Sequence, residues 1–163
     1  MLADLALVVA AVLAAAGGPA ARPRACLASD LTARAAFQGA TGAAEGGVVV
    51  TNRSRSRCAV SGRPLVDLLV NGRRLDVRQV LGRPTKNRRP QPYVLLAPRA
   101  AAFVHIRWSN WCGARSAPVH LRLWIMTVQP RVQVRGTIAA PRCDSAAARS
   151  TVAVGPFESL RRS

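Results

Sequence analysis

Phe103-Val104-His105-Ile106-Arg107-Trp108 and Val119-His120-Leu121-Arg122-Leu123-Trp124-Ile125 decide the fold class. In each segment the apolar side chains recur at every second position. Val104, Ile106 and Trp108 line one face of the first, and Val119, Leu121, Leu123 and Ile125 one face of the second. A period of two belongs to a β-strand with one face in a core, since a helix repeats near 3.6 residues. His105, Arg107, His120 and Arg122 then share the opposite faces. If the two strands form a hairpin around Gly113, pairing Arg107 with His120 also pairs His105 with Arg122. That register makes a small basic patch for a phosphate or carboxylate, although outward alternation alone explains the same positions. A metal site on the two histidines lacks a third ligand.

Working outward, the same period returns. Gly46 to Asn52 is a β-branched strand closing on a turn, and Pro64 to Val70 is another. Asn71-Gly72 is a strong hairpin signal, because both residues tolerate the positive φ that a tight turn demands. Arg74 to Val80 alternates, with Leu75, Val77 and Gln79 on one face. Gly82 to Pro92 reads as a long exposed loop. Tyr93 to Leu96, Arg131 to Ile138 and Thr151 to Val154 complete the set. Seven to nine short antiparallel strands without a convincing amphipathic helix predict an all-β, immunoglobulin-like β-sandwich. No nucleotide loop, internal repeat or second domain is visible, and residues 21–163 are expected to form one domain.

The first twenty residues differ in kind. Leu5 to Ala16 is an unbroken apolar run, followed by Gly17, Gly18 and Pro19. It is short for a membrane span, which needs about 20 residues. It fits the apolar region of a secretory signal peptide over residues 1–20, with cleavage near Ala16 or Ala20. Asp4 departs from the usual basic start of such a segment. Cys26 follows soon after, but Pro23 stands where a lipobox would have leucine, between Arg22 and Arg24. Charges there are costly in a membrane-embedded cleavage region. The expectation is therefore a secreted or envelope chain, not lipid-anchored and with no transmembrane span once mature.

Export gives the four cysteines their meaning. Cys26, Cys58, Cys112 and Cys143 form an even set, which in an oxidising compartment favours disulfides. No two lie close enough for the knuckle of a structural zinc site. Three pairings are possible. Cys26–Cys58 with Cys112–Cys143 is favoured, because each bond closes a loop of similar size within one half of the domain.

Twenty-four basic residues oppose seven acidic ones, for a formal net charge of +17. Lys86 is the only lysine, and the Arg and Ala excess suggests a GC-rich genome, so composition supplies part of this charge. A positive field of that size attracts anionic partners. The charge concentrates in two loops, at Arg53, Arg55 and Arg57 and at Arg83, Lys86, Arg88 and Arg89. These are the candidate anion-binding residues, for an envelope polymer or phospholipid headgroups. Neither loop interleaves aromatic residues, so specific nucleic-acid binding is not expected. Asn52-Arg53-Ser54 also matches a glycosylation sequon.

Several landmarks carry a resemblance. They are Cys26, Gly39 to Ala43, Val48-Val49-Val50-Thr51-Asn52 and Cys58-Ala59-Val60-Ser61-Gly62-Arg63-Pro64. Later come Val94 to Pro98, Ile106-Arg107-Trp108-Ser109-Asn110-Trp111-Cys112, Pro141-Arg142-Cys143 and Val154-Gly155-Pro156-Phe157-Glu158. In this order they resemble a secreted actinobacterial family, domain of unknown function 4232. The resemblance implies an exported, β-sandwich-like domain, often on envelope lipoproteins, with no established activity.

Catalytic constellations are not evident. No GxSxG elbow is present. The carboxylates Asp30, Glu45, Asp67, Asp76, Asp144 and Glu158 mostly fall at strand ends or turns, where solvation explains them. No cofactor is expected. The leading expectation is a non-catalytic envelope or secreted binding module with a basic surface. A structural, partner-protein domain with incidental charge is the alternative. A secreted hydrolase would require Asp67, Asp76 and His105 to meet in one pocket.

Overall fold

Alternation becomes strand along nearly the whole described chain. The computed structural model describes residues 23–40, 42–84, 92–125 and 131–160. Its strands are β1 (Leu31–Ala40), β2 (Ala43–Asn52), β3 (Cys58–Ser61), β4 (Leu65–Val70), β5 (Arg73–Arg74) and β6 (Arg78–Leu81). They continue as β7 (Tyr93–Leu96), β8 (Ala101–Ser109), β9 (Val119–Trp124), β10 (Val132–Ile138) and β11 (Thr151–Ser159). One 3-10 turn over Ala28–Asp30 precedes β1.

Nine strands form one sheet in the order β5-β4-β9-β10-β1-β2-β8-β11-β6, and β3 pairs with β7 in a separate ribbon. The long sheet curls. Leu68, Leu121 and Leu123 from one end share a single core with Val48, Val104, Ile106, Trp108 and Val154 from the other. Burying each such side chain contributes about 1.5–3 kcal/mol, so this shared core is the main force holding the curl. The ends of the sheet also meet through one side chain. On β6, the Gln79 amide accepts from the Val66 N–H at 2.8 Å and donates to the Pro64 carbonyl at 3.0 Å. A carboxamide offers the same donor and acceptor as a peptide group, so it substitutes for a strand partner.

The all-β class is as expected, in the form of one curled nine-stranded sheet with a two-stranded ribbon. Three details differ from the sequence expectation. The described strands number eleven, because β1 over Leu31–Ala40 and β3 over Cys58–Ser61 lie outside the segments read as strands, and Arg74 to Val80 is not one strand. There the backbone turns away after β5, with the Leu75 N–H bonded to Leu68 O at 2.8 Å, and resumes as β6 beside β11. Two pairings, β1 with β10 and β11 with β6, are parallel.

The third difference concerns β8 and β9, which do not form a hairpin. β8 lies between β2 and β11, whereas β9 lies between β4 and β10. Longer partners decide this: β8 aligns nine residues with β2, burying Val48 and Val50 beside Val104 and Ala102. Gly47 permits that close alignment, because a Cβ there would sit 2.1 Å from Val104 O and against the Phe103 ring. The Asn71-Gly72 turn forms as read, with φ of 49° and 75° joining β4 to β5.

The disulfides join Cys26 to Cys58 and Cys112 to Cys143. The first is buried and pins the chain ahead of β1 onto β3, where Cys26 N–H also bonds Ala59 O at 3.0 Å. The segment 1–20 lies outside the described residues.

Candidate anion-binding face

The outer face of β4, β9, β10 and β1 collects charge. Asp67 stands on β4 directly opposite Arg122 on β9, and its side chain is only 8% exposed. Asp67 is thus not solvated at a strand end, whereas Asp76 and Asp144 are exposed outside the strands. Three guanidinium groups surround it: Arg74 Nε at 3.1 Å from Oδ1, and Arg122 Nη2 and Arg131 Nη1 each 3.6 Å from Oδ2. Arg131 also lies over the Trp124 ring, 4.4 Å from its centroid. One carboxylate cannot saturate three five-donor guanidinium groups, so the cluster keeps a formal charge of about +2. The buried Arg122 Nε has no hydrogen-bond partner. An unsatisfied donor of this kind costs about 1–3 kcal/mol.

Further along this face, β10 passes to β1. Arg34 and Arg135 are direct partners in the parallel β1–β10 register. Like charges set side by side on a sheet are unfavourable. Neither side chain has an ion-pair or hydrogen-bond partner among the described residues. Between them and β2 lies a trough of about 350 Å³, whose outward walls are Thr32, Ala36, Val49 and Thr51. No acidic residue lines it.

Asp30, Glu45 and Asp76 stand elsewhere. Asp30 accepts from the Leu27 N–H at 2.7 Å and from Arg24 Nη1 at 2.8 Å. The Leu27 amide, and next the Arg24 guanidinium, hold its pKa below the ordinary 3.8. Glu45 faces His105 Nε2 at 3.3 Å. Asp76 borders a different cavity, of about 480 Å³, with Arg78, Trp111 and Arg149. Asp67, Asp76 and His105 thus occupy three separate environments and do not assemble a hydrolase pocket. Among the described residues, no three His, Cys, Asp or Glu side chains are grouped to hold a metal ion.

The histidines and the basic loops are placed as follows. The basic patch of His105 with Arg122 and Arg107 with His120 does not form. Arg107 is opposite Glu45, and His120 is opposite Leu69 and Thr137. In the Arg/Ser loop, Arg53 is exposed and donates through Nε to Ser29 O at 2.7 Å, while Arg55 and Arg57 are exposed. Arg83 is exposed at the end of β6. Lys86, Arg88 and Arg89 lie outside the described residues.

A family model described as a domain of unknown function (DUF4232) matches residues 26–158, from the first cysteine to Glu158 near the end of β11. The chain belongs to this family. No curated protein and no solved structure matches it.

In this DUF4232 domain, the residues that carry the family resemblance serve as scaffold. Asn52 is fully buried. Its Nδ2 donates to Ser56 O at 2.8 Å and Leu96 O at 3.0 Å, and its Oδ1 accepts from Ser54 N and Oγ at 2.9 and 2.8 Å. One amide thereby shapes the Arg/Ser loop and ties it to β7. The same burial removes the sequon asparagine from solvent. Asn110 repeats the device at the other end of the domain. Its Oδ1 accepts from Asp144 N and Ser145 N, both at 2.9 Å, and its Nδ2 donates to Ser145 O at 2.9 Å. Trp108 fills the core and donates to Ser150 Oγ at 2.9 Å, with Trp111 packed 5.7 Å away. Arg63, beside Pro64, donates to the Gly82 and Val154 carbonyls and fastens β6 to β11.

The two disulfides suggest an extracytoplasmic environment. Among the described residues, no helix is long and apolar enough to cross a membrane.

Proposed function

We propose that the domain is an exported, non-catalytic binding module of the cell envelope, or a secreted one, whose basic outer face takes a phosphate-bearing partner. The shared chemistry is the phosphate group, carried by an anionic envelope polymer or by phospholipid headgroups. One observation carries the reading: Arg122, Arg34 and Arg135 on the outer face of β9, β1 and β10, with Arg74 on β5 and Arg131 just ahead of β10, stand against Asp67, the one acid in β4, β9, β10 and β1. Guanidinium groups match phosphate oxygens through paired donors and are weakly hydrated, which suits them to this contact. Support for a non-catalytic role is the dispersal of Asp67, Asp76 and His105.

Binding of this kind weakens with salt, because exposed charges are screened beyond about 8 Å at physiological ionic strength. The test is co-sedimentation with anionic polymer and with phosphatidylglycerol vesicles, at low and high salt. Salt-sensitive retention supports the reading. No retention on either surface at low salt refutes it.

A further inference from the structure

Resting on that reading, we infer that the trough between β1, β2 and β10 is a subsite for one oxyanion joined to a small apolar group. Three observations converge there. First, Arg34 and Arg135 are held side by side by the parallel register, with no counter-charge from the described residues. An anion seated between them turns a like-charge repulsion into two charge-assisted contacts. Second, the cavity beside them holds about 350 Å³ and no acid, a size within the range of small-ligand pockets. Third, its wall is graded. Thr32 and Thr51 offer hydroxyls, whereas Ala36 and Val49 offer only apolar surface. A bare phosphate would meet the arginines but leave the apolar wall wet. A ligand with an alkyl stub would cover both.

The Asp67 cluster is a weaker candidate for such specificity, since its arginines already share a carboxylate. The trough pair shares none.

The experiment is calorimetric titration of the full disulfide-bonded protein with inorganic phosphate, butyl phosphate, valerate and butanol. Butyl phosphate should bind more tightly than inorganic phosphate, and butanol should not bind. Valerate separates a carboxylate source from a phosphate one: tighter binding of either acid over butanol fits the subsite, and the order names its headgroup. Arg34→Gln and Arg135→Gln should each weaken butyl phosphate about tenfold. Ala36→Leu, which fills the wall while keeping both charges, should weaken butyl phosphate but spare inorganic phosphate. Unchanged thermal melts establish that each variant folds.

Equal affinity of the intact protein and both arginine variants for butyl phosphate overturns the subsite, as does equal binding of butyl and inorganic phosphate. If vesicle and polymer binding persists alongside that outcome, the basic-face reading stands and only the subsite falls. Loss of surface binding with butyl phosphate still held through Arg34 and Arg135 has the opposite meaning.

Discussion

Replacing Asn52 by alanine tests how the basic loop is held. The side chain makes four hydrogen bonds of 3.0 Å or less, to Ser54 N, Ser54 Oγ, Ser56 O and Leu96 O. Each contributes about 1 kcal/mol net. The total overstates the loss, because the Ser54 and Ser56 groups are only partly buried and regain water. Leu96 O is in a buried contact and does not, so its desolvation adds about 1–3 kcal/mol. The expected destabilisation is about 3 kcal/mol, read as a lower midpoint in urea with an unchanged slope. Asn52→Asp discriminates further. It keeps an acceptor for Ser54 but removes both donors and places a carboxylate at a fully buried position. Burial raises the folded-state pKa of such a group, so its penalty is larger at pH 7 and shrinks as pH falls toward 4. A loss under 1 kcal/mol for Asn52→Ala, or a pH-independent Asn52→Asp, would refute this account of the loop.

The remaining predictions concern charge and the disulfides. Asp67→Asn should lower stability by about 2 kcal/mol, less than for a fully buried ion pair because Arg74 is 68% exposed. The same change should strengthen binding to anionic vesicles, and a weakening there would count against the basic face. Asp30 is held below its ordinary pKa by the Leu27 amide and Arg24. Its contribution is therefore present above about pH 4 and lost as pH falls through the depressed value. In acid titrations of stability, Asp30→Asn should flatten that limb. Alkylation mapping under mild reductant should open Cys112–Cys143 first, since both cysteines are exposed whereas Cys26 and Cys58 are fully buried. Simultaneous opening would contradict this order.

Much of the domain is legible one strand at a time. The inward set of β8 and β9, the Asn71-Gly72 turn and the all-β class all follow from local periodicity and turn chemistry. β1 escapes because alanine has little strand preference. Its ten-residue pairing with β2, not its own side chains, makes Ala33, Ala35 and Ala36 extended. Strand partners are a long-range property, so nearness in sequence does not make β8 and β9 neighbours. The candidate face is hidden for the same reason. Nothing near Arg34 announces Arg135, a hundred residues away, and Asp67 meets Arg122 only once β4 and β9 are in register. The charges of the Arg53 to Arg57 loop are contiguous in sequence, whereas the Asp67 cluster is built from single arginines that are far apart in sequence.

The most direct test of the central claim is vesicle binding of the intact protein across an ionic-strength series, beside an Arg34→Gln, Arg122→Gln, Arg135→Gln triple variant shown by circular dichroism to be folded at the assay temperature. The account predicts tight low-salt binding of the intact protein to phosphatidylglycerol, falling steeply with salt, and a much shallower salt dependence for the variant. Identical curves for the two proteins would contradict it.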